Sequence, residues 1–307
     1  MNLNDIDVST ITNMSFLFYG KSLKGVDISG WDVSNCTNFS CMFLNSSNFN
    51  SNIKNWDVSN GEDFSCMFSN CKKLQVNLSE WNISNTANTF SMINPDNKKI
   101  ILPKNYKRYT DNKWFKKFIK KLLYDYEIKN LNFLDVSTVT DFSHLFHDYY
   151  IHDLRHVHIE KWNPINGEDF SYMFYDCKNL RLEAENWDLS NGKNFSYMFA
   201  RISDSNLNLN NWDMRNGINF SHMFYIDIDD DNDSYKDNNL SIKGFNILNA
   251  LDLSYMFYNF VRFTGDLSNW NVSKCLNFSY MFYNCKYFKS DLSSWDVSNG
   301  ISFAHMF

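Results

Sequence analysis

The chain has 307 residues, with 28 Phe, 17 Tyr and 9 Trp but only 10 Gly and 3 Pro, and a net charge of −6. At 44% hydrophobic it can bury enough apolar surface to offset its ordering entropy, which excludes disorder, and no apolar run approaches the roughly 18 residues of a membrane span. The net charge is an average, because residues 98–121 carry ten Lys or Arg against one Asp, a local +9 that leaves −15 for the remainder.

From the N-terminus onward the aromatic residues set a period. Trp31, Trp56 and Trp81 are 25 apart, as are Trp162, Trp187 and Trp212, and again Trp270 and Trp295. Ile6, Leu134 and Phe245 hold the same phase, so the chain contains eleven copies of one repeat. The steps from Trp81 to Leu134, from Leu134 to Trp162 and from Trp212 to Phe245 overrun whole multiples of the period and mark three insertions. Positions are numbered below from this anchor residue.

Residues 1–94 hold the first four copies. Aliphatic side chains stand at −3 (Ile28, Ile53, Leu78) and +2 (Val33, Val58, Ile83), an LxxWxV string that reads as one short strand pairing in parallel with its neighbours. Position +7 is Asn, Asp or Ser, as in Asn38, Asp63 and Asn88, which fits a helix N-cap. Apolar residues then fall at +8, +11, +12 and +15, as in Phe64, Met67, Phe68 and Cys71, the spacing of one face of a short helix. The predicted fold class is α/β: a leucine-rich-repeat-like solenoid, with one short parallel strand and one short helix per 25-residue repeat. No copy can bury both faces alone, so stability is expected from stacking. Position +1 is Asp or Asn throughout, including Asp32, Asp57, Asp188 and Asp213. On a concave strand face these carboxylates would form a ladder about 5 Å apart, open to cations or a basic partner. The competing reading is a local bond to the Ser two residues on, which shapes the turn.

Residues 95–130 interrupt the array with a basic insertion. The segment 110–129 predicts a long amphipathic helix with Trp114, Phe115, Phe118, Ile119, Leu122 and Leu123 on one side and Lys113, Lys116, Lys117, Lys120 and Lys121 on the other. Such a helix can lie on a membrane surface or meet an acidic partner. An apolar stripe of this size seldom stays exposed, so docking in place of two missing repeats is the preferred reading.

Residues 131–307 resume with copies five to eleven. Five of the seven His (144, 147, 152, 156 and 158) fall together here, yet no complete ligand set accompanies His144 and His147, and no metal or cofactor is expected. Tyrosines recur at +10 (Tyr172, Tyr197, Tyr255, Tyr280) and +13 (Tyr175, Tyr225, Tyr258, Tyr283), a stripe suited either to recognition or to packing between helices. The Asp-rich loop at Asp227, Asp229, Asp231 and Asp233 lacks the Gly and Glu of a calcium hand and reads as solvated. Seven Cys without a CxxC pair read as free thiols. Cys36, Cys71, Cys177, Cys275 and Cys285 are placed as small packing residues.

The string WDVSNGEDFSCMFSNC (56–71) and its counterpart WNVSKCLNFSYMFYNC (270–285) closely resemble the BspA-like leucine-rich repeat surface proteins, specifically their mycoplasma-lipoprotein-type repeat, which has the same period. The resemblance covers most of the chain outside 95–130 and implies a surface or secreted adhesion or interaction protein. The opening residues carry no signal peptide, which makes an intracellular location the default unless a longer precursor exists. The start near Leu3 and the end at Phe307, within the eleventh predicted helix, suggest either such a precursor or ends covered by a partner. No nucleophile with a base and no phosphate-cradling loop is present, so a non-catalytic scaffold is expected. Its expected partner is a protein, with a glycan as the alternative and nucleic acid excluded. The other function considered is a peripheral membrane protein recruited by helix 110–129.

Overall fold

The repeat period is a hydrogen-bond period. In a computed structural model, all residues are described except 95–96, 98, 108–111, 148–153, 204, 211 and 228–238. The chain forms two units, one of Met1–Thr110 with Phe133–Val136, the other of Asp111–Asn132 with Ser137–Phe307. In unit 1 position +7 bridges in parallel from Asn13 to Asn38, Asp63 and Asn88; in unit 2 the same bridge runs from Asp141 through Asp169, Asn194, Asn219, Asp252 and Asn277 to Ser302. The architecture is a mixed α/β repeat fold with few helices.

The segment expected to be a helix is a string of tandem turns. Phe39, Cys41, Phe43 and Asn45 donate N–H groups to the next copy, to the carbonyls of Asp63, Ser65, Met67 and Ser69, at 2.8–3.1 Å. The residues between them bond three back within their own copy, Met42 to Phe39 and Leu44 to Cys41. Alternate amides thus serve the stack and the local turn, and none are left for an i to i−4 ladder. Position +10 has a positive φ in all eleven copies, from Phe16 (59°) and Cys41 (55°) to Tyr280 (58°) and His305 (49°). A non-glycine residue there costs about 1–2 kcal/mol and is incompatible with a right-handed helix. Burial at +8, +11, +12 and +15 is nonetheless as expected, with Phe64, Met67, Phe68 and Cys71 all inside. The +7 side chains do accept amide bonds, but from the residue two on, as Ser65 N–H donates to Asp63 Oδ1 at 2.9 Å; these are Asx turns on a rung of the stack.

The strand is also displaced from its predicted place. At LxxWxV the anchor N–H bonds the carbonyl three back (Trp56 to Ile53, 3.2 Å) and the +5 N–H bonds the +2 carbonyl (Gly61 to Val58, 2.9 Å), so the string is two turns. The described strands lie just upstream: β1 (Arg181–Glu183), β2 (Asn206–Asn208) and β3 (Asn239–Ser241). They form one parallel sheet in order β1-β2-β3, with Leu182, Leu207 and Leu240 in register.

Side chains stack like on like inside each unit. Trp31, Trp56 and Trp81 lie 6.4 and 6.5 Å apart at 3° and 7°. Phe142, Phe170, Phe195 and Phe220 follow one another at 5.2–5.3 Å. Each buried indole needs a partner for its N–H, and most donate it to the −3 carbonyl of the copy before, as Trp81 does to Ile53 at 3.0 Å and Trp212 to Ala184 at 3.0 Å. Position +5 is Gly in five copies (Gly61, Gly167, Gly192, Gly217 and Gly300), and a β-carbon on Gly192 would lie 2.3 Å from the Phe195 ring as it stands. A further ladder is made by Asn at +4: Asn60, Asn191 and Asn216 donate to the +3 carbonyl of the preceding copy at 2.7–2.8 Å.

Helix α1 (Asn112–Tyr124) starts unit 2. In an ordinary copy the +6 and +7 amides share the +6 carbonyl of the previous copy, as Thr37 and Asn38 share Thr12. At Thr140 and Asp141 that acceptor is the Oδ1 of Asn112, at 3.2 and 3.4 Å. Phe115 packs edge-on against Phe142 at 5.9 Å, where the previous copy's ring would stack. The helix therefore replaces a missing rung within unit 2.

Truncating a stacked core ring leaves a cavity. Phe195→Ala should lower unfolding stability by about 3–5 kcal/mol in urea, whereas Phe303→Ala, in a ring that is 41% exposed, should cost far less. Equal losses would contradict the described stacking.

Candidate functional site

In unit 2 every side chain at the left-handed position +10 is a ring, and none of these rings is fully buried, whereas Cys41 and Cys66 at +10 in unit 1 are. His144, Tyr172, Tyr197, His222, Tyr255, Tyr280 and His305 form one continuous stack. Successive centroids are 4.3–4.8 Å apart, nearly coplanar at 7–14° until the last pair opens to 31°. Beside it the +13 rings make a second row, with Tyr225, Tyr258 and Tyr283 stacked at 5.2 and 5.0 Å. Tyr175 stands apart from that row because the intervening copy has the buried Ala200, and it meets the edge of His147 at 4.7 Å instead. All eight tyrosines singled out by their spacing thus lie along one surface of unit 2, half-buried except for the exposed Tyr283.

The geometry limits the chemistry. Ring faces are consumed by the neighbouring rungs, which leaves ring edges and phenol hydroxyls for a ligand; edges carry the positive part of the ring quadrupole. Burial raises the phenols of Tyr172, Tyr197 and Tyr255, so they remain neutral donors at physiological pH. Burial also pushes His222 down to about 4, against a small opposing pull from Asp252, and its Nδ1 lacks a hydrogen-bond partner. His144 is lowered by burial, by His147 and by Lys116.

The +1 carboxylates sit in Asx turns. Asp32 accepts from the Ser34 hydroxyl at 2.6 Å and N–H at 3.0 Å, and Asp57 and Asp188 from the amides of Ser59 and Ser190 at 3.0 Å. Asp32 and Asp57 are exposed, while Asp188 and Asp213 are half-buried. The bond from the Ser34 hydroxyl holds the Asp32 carboxyl below its ordinary range, and that from the Ser59 amide does so for Asp57, although Asp7 and Asp32 push the other way. Asp213 is lowered chiefly by the Arg215 side chain. In these copies the acid therefore shapes the turn, and Asp7, Asp32 and Asp57 mildly repel one another along the stack.

On α1, Phe115, Phe118, Ile119, Leu122 and Leu123 are buried. Lys116 bonds Asp141 and Ser143 at 2.7 Å, Lys120 is half-buried, and Lys113, Lys117 and Lys121 are exposed. Among the described residues no helix is long and apolar enough to cross a membrane. His144 Nδ1 lies 3.1 Å from His147 Nδ1, and no group of three or more His, Cys, Asp or Glu among the described residues could hold a metal ion. His152 and residues Asp229, Asp231 and Asp233 of the acidic loop lie outside the described residues. Burial raises the thiols of Cys36, Cys71, Cys177, Cys275 and Cys285, and those of Cys71 and Cys285 donate to the carbonyls of Phe43 and Phe257 at 2.9 and 3.0 Å, as packing residues do. A polar groove of about 750 Å³ also crosses the sheet, lined by Arg181, Glu183, Asn206, Asn208, Asn239 and Ser241.

Spacing alone places the tyrosines on a helix face and finds His222 and His305 in place of Tyr at +10, but it does not show that these rings and His144 form one continuous stack. The signal is present, since all seven copies from Leu134 onward have His or Tyr at +10. The +4 Asn ladder is likewise readable as a recurrence, but only the backbone path explains it.

One family model matches residues 1–101, 113–235 and 232–307, and its description is "Mycoplasma protein of unknown function, DUF285". No curated protein and no solved structure matches the chain.

His222 lies below the ordinary histidine range in the folded chain, so the unfolded chain binds a proton that the folded one refuses. Its contribution is present above about pH 6.5 and is lost as pH falls toward about 4. His222→Tyr keeps a ring on that rung and should flatten the fall in the urea midpoint between neutral pH and pH 5. An unchanged pH profile would show that His222 titrates normally.

Proposed function

Because the chain belongs to this repeat family of unknown function, which matches it over nearly its whole length, we propose that it is a non-catalytic, leucine-rich-repeat-like solenoid of BspA type that binds another protein. The observation that carries the reading is the row of ring edges and hydroxyls on unit 2. Tyrosine supplies rigid contact area at low entropic cost, and a stack fixed by backbone rungs is pre-organised, so a partner need not order it.

A protein partner fits better than a glycan at this surface. Sugar rings stack on exposed aromatic faces, and here those faces are covered except at the ends of the row. Backbone carbonyls and carboxylates can instead accept from the phenols and approach the positive ring edges. An adhesion role on a cell surface is the form of this reading that the family resemblance suggests. The membrane alternative requires α1 to give up an apolar face that is packed on Phe142 and Trp162, leaving only a lysine row for an anionic surface.

Affinity capture from the native source distinguishes the two. Joint replacement of Tyr172, Tyr197, Tyr255 and Tyr280 by Ser should abolish partner retention, while Lys113, Lys117 and Lys121→Gln should retain it. The membrane reading requires the opposite, together with binding to anionic vesicles that the lysine replacements remove.

A further inference from the structure

Two cysteines stand outside the packing roles of the other five. Cys36 and Cys275 are at +5, and Cys71, Cys177 and Cys285 at +15, whereas Cys41 and Cys66 are both at +10, in successive copies of unit 1. No other two cysteines occupy the same position of adjacent copies. Both are fully buried, and a rung joins them directly: the Cys41 N–H donates to the Ser65 carbonyl at 2.8 Å, one peptide bond from Cys66. The parallel bridge from Asn38 to Asp63 holds the same two copies in register. With φ of 55° and 54° the two residues share one backbone conformation, so their side chains start side by side. The two thiols are hydrogen-bonded to one another.

We infer that Cys41 and Cys66 are a disulfide-forming pair that clamps two adjacent rungs of unit 1. One rung separates their α-carbons by about 4.8 Å, inside the range of about 4.4–6.8 Å found across disulfides. The β-carbons of a disulfide lie about 3.5–4.5 Å apart, so the bond draws the two rungs slightly together. Side chains at +10 tolerate such an approach, since the ring centroids of Tyr197 and His222 in the same row of unit 2 are 4.3 Å apart.

The oxidant is a small-molecule disulfide such as glutathione disulfide. The thiolate of one cysteine attacks a glutathione sulfur and releases one glutathione; the thiolate of the other attacks the mixed disulfide and releases the second. Two protein thiols become one disulfide, one glutathione disulfide becomes two thiols, and the two cysteine protons pass to the departing thiolates. Burial pushes the Cys66 thiol well above its ordinary range, so the thiolate needed for attack forms only while these rungs are open. The closed rungs shield the finished bond from reductants in the same way. Joining residues 25 apart restricts the unfolded chain, so the oxidised protein is the more stable form. Such a bond persists in an oxidising exterior, and the pair is independent of the tyrosine row because it lies in unit 1.

Reduced full-length protein held in a glutathione redox buffer just below its urea midpoint should lose two of its seven alkylatable thiols, and proteolytic mapping should find the peptides of Cys41 and Cys66 joined. Returned to buffer without urea, the oxidised protein should keep the bond in dithiothreitol and unfold at a higher urea concentration than the reduced protein. The C41S/C66S variant should lose no thiols under the same treatment, and its midpoint should not respond to the redox buffer. Seven thiols retained by the wild type, a bond between other cysteines, ready reduction without urea, or an oxidised midpoint no higher than the reduced one would each overturn the inference. None of these outcomes bears on the tyrosine replacements, which lie in unit 2.

Discussion

Everything in this molecule depends on the rung: a backbone amide in one copy donating to the equivalent carbonyl zone of the next. Because alternate amides from +8 to +14 are committed to the neighbour, the chain between them has to close in three-residue turns. That constraint sets the left-handed residue at +10, whose side chains stack from copy to copy as the ring row of unit 2. Fold and surface are therefore consequences of one bonding pattern repeated at constant spacing.

The same pattern explains why residues recur so strictly. When equivalent atoms lie one rung apart, the best neighbour for a ring is the same ring in the same rotamer, and the interplanar angles of a few degrees through the Trp and Phe rows express this. Where +5 is Gly, the edge of the Phe at +8 fills the space a β-carbon would take, whereas Cys36, Val139 and Cys275 stand at +5 in copies that also have Phe at +8. Insertions are tolerated where no rung is required: the long step from Trp212 to Phe245 leaves the bridge from Asn219 to Asp252 intact.

Much of this was legible in the residues alone. The period, the copy number, the buried positions and the turn-forming role of Asp32 and Asp57 all follow from spacing and side-chain chemistry. The secondary structure did not follow, for a physical reason. Burial at +8, +11, +12 and +15 is produced equally by a short helix and by tandem turns, since both return the chain to one face after three or four residues. Only the sign of φ separates them, and Phe, Cys, Ser, His and Tyr at +10 carry none of the glycine signal that usually announces a left-handed residue. LxxWxV misled in the same way, because two turns point Leu, Trp and Val inward as a strand in a stack would. The ring ladder was half visible as a spacing of Tyr, with His222 and His305 in its place at +10, and became complete only when these rings and His144 proved to stack as rungs.

Helix α1 ends the amide ladder of unit 2 with a side chain instead of a backbone carbonyl. Asn112 comes before Thr140 and Asp141 in the chain, so during synthesis the acceptor is delivered before the donors that need it. Each later copy then finds its template already laid down by the copy just made. Assembly of unit 2 can consequently proceed in the direction of translation, one loop at a time, with every closure spanning about one repeat and the loop-closure cost never growing with the length of the array.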